Sequence, residues 1–291
     1  MKQMETRRMC PNCRAFITIN DRVCPYCHET VAPPAVAIRN AASVVGGFMP
    51  RARFNTMLIL LINSAFFLAT VIFAMRGGRG GNIMELDTET LVLFGCKLSL
   101  GSLLGSGDFA GQWWRLVMAG FLHGGLLHIA MNSWVLFDLG AQVEEIYGAS
   151  RMWVIYFLAN CSGYLLSAWW SQAPSIGASA GLCGLVGAMI ALGVHHRNPM
   201  GQAIKGMYIR WAAYILLFGL IPGFHIDNFA HLGGLAGGFC VGYMAETPGR
   251  QGTSGETLWR AASWFCIILA VVSVVKWWMW FNAVMPEINR G

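Results

Sequence analysis

Charged side chains are what this sequence has least of. Only 12% of its 291 residues are Asp, Glu, Lys or Arg, 56% are apolar, and mean hydropathy is +0.52. A soluble enzyme of this size carries about twice that charge, so the chain reads as an all-α, polytopic membrane protein. Acidic residues are the scarcer kind, 14 against 20 Lys and Arg. The resulting net charge of +6 does not point to nucleic acid, because the basic residues lie scattered between apolar segments without a basic patch interleaved with aromatics. They are read as topology signals. A cleavable signal peptide is also missing from the pattern: "MKQMETRRMCPNC" is polar, and the first long apolar run starts only near residue 55. The N-terminal segment is therefore expected to stay in the cytoplasm. Nor do the cysteines form a disulfide framework. Four are paired as CxxC near the N-terminus, and Cys96, Cys161, Cys183, Cys240 and Cys266 are scattered singly, as small apolar residues would be.

Apolar runs of spanning length occur at about 55–75, 121–140, 152–171, 177–195, 207–221, 229–245 and 263–282. Basic residues such as Arg7, Arg8, Arg51, Arg53, Arg151, Arg197, Lys205, Arg210, Arg250 and Arg260 fall in alternate connections, which places the N-terminus inside and the C-terminus outside. Tryptophans at 113–114, 169–170, 277–278 and 280 fall where outer helix ends should meet lipid headgroups. Between the first two runs, "RGGRGGNIMELDTETLVLFGCKLSLGSLLGSGDFAGQWWRLVMAG" is too long and too apolar for an aqueous loop, and part of it is expected in the outer interface.

In "CPNCRAFITINDRVCPYCH", Cys10, Cys13, Cys24 and Cys27 form two CPxC turns ten residues apart. Each turn presents two thiolates to one tetrahedral zinc, and the hairpin between them closes the site. The metal compensates for a segment too small to build its own core. A redox dithiol would instead need one CxxC at the start of a helix. Structural Zn2+ is thus the expected ligand, with His28 a spare neighbour. The following Pro-, Ala- and Gly-rich stretch reads as a linker.

Polar side chains inside spans are costly and count as functional candidates. "PSIGASAGLCGLVGAMIALGV", residues 174–194, has small residues Gly177, Gly181, Gly184 and Ala188 along one helical stripe, suited to close packing, while Ser179 points to the opposite side. "FLHGGLLHIAMNSWVLF" places His128 and Asn132 one turn apart, with His123 near the outer end, and "HIDNFAHLGGLAGG" carries His231. With the N-terminus inside, all of these fall in outer half-spans and converge at one depth. Serine needs a base to become a nucleophile, and His231 suits that role for Ser179. The first helical turn offers unpaired N–H groups and a positive dipole end to an oxyanion, and His128 and Asn132 can add donors. Asp227 reads as a loop cap, and Asp138, Glu144 and Glu145 lie at the wrong depth.

The constellation resembles the rhomboid family of intramembrane serine proteases. "WWRL" at 113–116, "HGGLLHIAMN", "GASAG" and "AHLGGLAGG" resemble, in order, the Trp-Arg, HxxxxHxxxN, GxSG and AHxxG elements of that family. The resemblance implies a rhomboid-like six-helix core, here followed by one C-terminal transmembrane helix and preceded by a small zinc ribbon. It implies cleavage of transmembrane protein substrates near the outer face of the bilayer, with Ser179 as nucleophile, His231 as base, His128 and Asn132 around the oxyanion, and no cofactor for catalysis. One departure is Ala180, where the family commonly has glycine directly after the serine. The expected organisation is a cytoplasmic ribbon at 1–32, a linker at 33–53, the core at 54–245, and a cytoplasmic loop, seventh helix and short outer tail at 246–291. The expected location is a bacterial inner (cell) membrane. The rival reading is a catalytically silent relative that binds or routes transmembrane helices; such relatives typically lose the serine or the base. A proton-relaying transporter would not depend on Ser179.

Overall fold

The computed structural model describes residues 7–10, 12–13, 15–18, 21–29, 53–76, 82–196, 198–221, 226–245 and 252–288. It divides into two units, Met1–Met49 and Pro50–Gly291. The expected linker, 33–53, lies outside the described residues except for its last position, as do Arg51, Arg197 and Arg250.

In the first unit, β1 (Arg7–Met9) and β2 (Phe16–Thr18) pair antiparallel, with Met9 opposite Phe16 and Arg8 opposite Ile17. Ile17 is buried with Cys10 and Cys24 in a very small core.

The second unit is helical. Its elements are α1 (Phe54–Arg76), the short α2 (Thr88–Phe94), α3 (Leu100–Leu104) and α4 (Arg115–Met118, running on as a tight turn through Phe121), then α5 (Leu126–Tyr147), α6 (Ala149–Trp170), α7 (Ser179–His195), α8 (Pro199–Phe218), α9 (Asn228–Ala245) and α10 (Gly252–Ile288). Each apolar run read from the sequence falls on one helix, but several boundaries move for identifiable reasons. The second run begins at 121 by hydropathy; in the structure the chain turns by 89° between Phe121 and Leu126, and α5 starts only there. His123 therefore lies in the break rather than in the span. Helix α8 begins well before its apolar run because Asn198 caps it, its side chain accepting from Gly201 N at 2.8 Å, and Pro199 sits in the first turn. Glu144, placed at the wrong depth for chemistry, caps α1: its carboxylate accepts from Asn55 N (2.9 Å), Thr56 N (3.0 Å) and Thr56 Oγ1 (2.9 Å).

Among the described residues, only α1 and the 254–286 stretch of α10 are long and apolar enough to qualify alone as membrane spans, with a third if the bent pair 115–121 and 126–147 counts as one span. Of the others, α6 and α7 are largely enclosed by protein. Helix α7 is the clearest case. It is only 17 residues long, is enclosed by α6, α8 and α9, and buries nearly all of its side chains. Small residues make that enclosure possible: a Cβ on Gly238 of α9 would run into the Gly184 backbone of α7. The expected outer tryptophan belt is only partly a belt. Trp169, Trp170 and Trp278 are exposed, but Trp114 and Trp277 are buried inside the protein, against the segment between α1 and α5.

Candidate functional site

Close approach of α7 and α9 brings the first turn of each helix together, and with it Ser179 and His231. His231 Nε2 lies 2.8 Å from Ser179 Oγ. His231 is 7% exposed, and its Nδ1 has no hydrogen-bond partner among the described residues. Asp227 does not supply one. Its Oδ1 accepts from Ala230 N at 3.0 Å, capping α9, and its Oδ2 accepts from Ser167 Oγ. The carboxylate thus fixes the helix that carries the histidine instead of forming a triad.

The backbone before the serine is held by several hydrogen bonds. Gly177 N donates to Ala119 O at 2.9 Å, Tyr164 Oη donates to Gly177 O at 2.7 Å, and Ser175 pairs with Lys97 in both directions. Among the described residues no side chain caps α7, so its first amides lie beside Ser179 without a described side-chain acceptor. Spacing alone places Gly177 on the packing stripe; the helix begins after it, at Ser179, so it belongs to the loop. Its φ of 125° is a conformation that side chains disfavour. A Cβ there would sit 2.7 Å from His128 Nε2 and 3.6 Å from Ser179 Oγ. The space that glycine leaves is therefore bounded by the imidazole and the serine oxygen together.

His128 is half-buried, its Nδ1 accepts a long bond from Gly124 N at 3.4 Å, and the His123 ring meets it edge-on with centroids 5.1 Å apart. Asn132, one turn further along, donates from Nδ2 to the His128 carbonyl at 3.0 Å and makes no described bond to Ser179. Ser179, His231 and His128 are thus gathered at one place, with Asn132 behind His128. The Ala180 methyl is buried with Ala119, Tyr164 and Ala230, in packing between helices. Cys183, one turn below the serine, is likewise buried, beside a small space that it lines with His231, Ala212, Ile215 and Leu216.

In the N-terminal unit the four Sγ atoms of Cys10, Cys13, Cys24 and Cys27 all lie within 4.8 Å of one another. Cys10 and Cys27 are 3.7 Å apart and Cys13 and Cys24 3.6 Å. A tetrahedral metal with sulfur bonds of about 2.3 Å needs sulfurs about 3.8 Å apart, so the tetrad is already the right size. The Cys13 amide draws the Cys10 thiol down to about 7. Cys13 is pushed up to about 12: the Ala15 amide pulls it down, but burial and the neighbouring sulfurs outweigh that pull. Four thiolates cannot share this space without a cation, and a metal ion bound here would supply one. His28 stands apart from the tetrad, exposed in a turn with φ 57°.

Together these features define a polytopic, all-α membrane protein with a serine–histidine pair where two tightly packed helices begin. Residues 110–247 match the family model described as the Rhomboid domain, so the chain carries a rhomboid domain. It is 34% identical over 218 residues to Rhomboid protease GluP of Bacillus subtilis, an alignment covering 75% of this chain and 39% of that protein. It is 36% identical over 136 residues to RHOMBOID-like protein 6, mitochondrial, of Arabidopsis thaliana, covering 45% and 43%. It is 31% identical over 191 residues to Rhomboid-like protease 2 of Toxoplasma gondii, covering 63% and 64%. The chain thus spans less than half the length of the first two.

Proposed function

We propose that the protein is an intramembrane serine endopeptidase acting on transmembrane protein substrates near the outer side of a bacterial cell membrane, with its N-terminus in the cytoplasm and its C-terminus outside. The observation that carries this reading is the 2.8 Å contact between Ser179 Oγ and His231 Nε2, beside the space that Gly177 leaves open towards His128.

As Ser179 Oγ attacks the scissile carbonyl carbon, His231 Nε2 takes its proton. The carbonyl π pair moves to oxygen, and the negative charge forms beside the first turn of α7 and the His128 ring, with Asn132 rotating in as a second donor. Collapse of the intermediate breaks the C–N bond, and His231 gives its proton to the leaving amine. Water then attacks the acyl ester with His231 again as base, releasing the acid and restoring Ser179. None of these steps needs an acidic third member: Asp227 is occupied as a helix cap. In the N-terminal unit, zinc held by Cys10, Cys13, Cys24 and Cys27 is structural, folding a segment whose described core is a few side chains.

The test is covalent labelling of the detergent-purified protein with a serine-reactive fluorophosphonate. Wild type should label and Ser179→Ala should not; equal labelling of the two, or none in the wild type, removes the nucleophile assignment.

A further inference from the structure

We propose that Lys97 is a positioning residue for the Ser179–His231 pair, and that the C-terminal helix α10 holds Lys97 in place through Arg115. Its kinetic consequence rests on the protease reading above; the contacts themselves do not.

Lys97 lies between α2 and α3, far from Ser179 in sequence, and is fully buried. A buried ammonium is costly unless hydrogen-bonded, so a lysine that merely filled space would be worse than an apolar residue. Here Nζ donates to the carbonyls of Ala173 (2.9 Å) and Ser171 (3.3 Å). The Lys97 backbone meanwhile donates to Ser175 O at 2.9 Å and accepts from Ser175 N at 3.1 Å. One residue thus grips both ends of 171–175, four residues before the serine. Among the described residues its other bonds are from Ser171 N to Ser167 O at 2.8 Å, at the end of α6, and from Ala173 N to Ser171 Oγ at 3.2 Å, within the stretch itself. Gln172, Ala173 and Pro174 are exposed and Ser171 and Ser175 only half-buried, so apolar burial contributes little to fixing it. Burial pushes the Lys97 ammonium below the ordinary lysine value, and the first charge opposing that is the carboxylate of Asp227, which caps the helix of His231.

What holds Lys97 is equally specific. The Arg115 guanidinium, itself fully buried, donates to Val92 O at 2.8 Å and to Cys96 O at 3.3 Å, the latter being the carbonyl of the peptide that leads into Lys97. Three aromatic rings surround that cation: Trp114 and Trp280 at 4.8 Å and Phe109 at 4.9 Å. Trp280 belongs to α10, and one turn earlier Trp277 Nε1 donates to Leu93 O at 3.0 Å. The helix that follows the rhomboid domain in sequence is therefore stacked on the segment that grips the serine loop. Sequence order alone would make α10 an appendage; these contacts make it a brace.

The full chain in detergent is compared as wild type, Lys97→Met, Lys97→Gln, Trp280→Phe and Trp280→Leu. The readouts are fluorophosphonate labelling rate, kcat and KM on a transmembrane substrate, thermal stability, and hydrogen exchange of the amides within 173–178, Pro174 having none. Misplacing a reacting group by about 1 Å costs about a hundredfold, so Lys97→Met should lose about ten- to a hundredfold in labelling rate and kcat. KM should change by less than about twofold, since substrate binding is not what Lys97 serves. Amides 173–178 should exchange at least about tenfold faster while the helical core keeps its protection. Trp280→Leu should move the same readouts in the same direction, and Trp280→Phe, which keeps a ring face over Arg115, should restore most of the loss. Lys97 is not a positioning residue if Lys97→Met keeps wild-type kcat, or if kcat falls without any change at 173–178. The brace is refuted if Phe and Leu at 280 behave alike. Should Lys97→Met fail to fold, Lys97→Gln and the Trp280 pair carry the same comparison. If the wild type does not label, the protease reading fails, and the positioning claim is judged on hydrogen exchange alone, where unchanged protection of 173–178 overturns it.

Discussion

Gly177 offers the sharpest perturbation of the proposed chemistry, because it touches the site without removing any functional group. Replacing it with alanine has two separable consequences. The first is backbone strain: a φ of 125° is disfavoured by any side chain, and holding a residue in such a region costs on the order of 1–3 kcal/mol. The second is local. The added methyl would lie 2.7 Å from His128 Nε2 and 2.9 Å from its Cε1, closer than carbon and nitrogen tolerate, so the imidazole must swing away. Ser179 Oγ, 3.6 Å from the same point, is at ordinary contact distance and keeps its bond to His231. Gly177→Ala should therefore leave the nucleophile and base intact while evicting His128 and filling the place where the substrate oxygen gains charge.

The expected loss is that of an oxyanion donor, about 10²- to 10³-fold in kcat, or roughly 2.7–4 kcal/mol of transition-state stabilisation. The assay is kcat and KM on a transmembrane substrate in detergent, read beside a thermal melt that reports the strain separately. Fluorophosphonate labelling should survive better than turnover, because Ser179 and His231 are undisturbed. A Gly177→Ala protein with wild-type kcat would refute the placement of the oxyanion between Ser179 and His128. A protein that melts early but turns over normally would show that the glycine serves the backbone alone.

Removing His128 or Asn132 as alanine should lower kcat by about 10²- to 10³-fold with KM nearly unchanged, and two folded variants with wild-type kcat would make both residues structural. Ser179→Ala and His231→Ala should each abolish cleavage, with the double variant no worse than either, because members of one catalytic unit are not additive; turnover by Ser179→Ala would sink the mechanism. Metal analysis of the full chain should find about one zinc per protein, lost on replacing Cys10 and Cys24 with serine. A chain without residues 1–50 should still label at Ser179, since every proposed catalytic group lies beyond them; loss of labelling with the helices still folded would tie the ribbon to the active state.

How far the sequence discloses this arrangement depends on whether a residue's partner is near it in the chain's own pattern. Ser179, His128, Asn132 and His231 stood out because a polar group in an apolar run is conspicuous against its neighbours, whatever it contacts. The CPxC turns stood out because a tetrahedral site written by two short turns is local in sequence. Gly177 was visible yet misassigned: spacing put it on a helix face, and only the actual start of α7 at Ser179 moves it into the loop, where its missing side chain shapes the site. Glu144 was set aside by depth, and its partner is the amide end of α1, which no periodicity in α5 announces.

Lys97 and the tryptophans show the limit most clearly. A lysine in a connection between spans reads as solvated, because lysines there usually are. Trp277 and Trp280 at a helix end read as lipid-facing for the same reason. Each is instead turned inward by a partner more than seventy residues away: Lys97 by the carbonyls of Ser171 and Ala173, Trp277 by the carbonyl of Leu93, and Trp280 by Arg115. The partners are mostly backbone carbonyls, which are present at every residue and so leave no mark in a sequence. A side chain that serves catalysis by holding backbone is therefore hidden in composition and spacing alike, and becomes visible only when burial singles it out: an ammonium with no exposure, in a protein where charge is scarce, must be holding something.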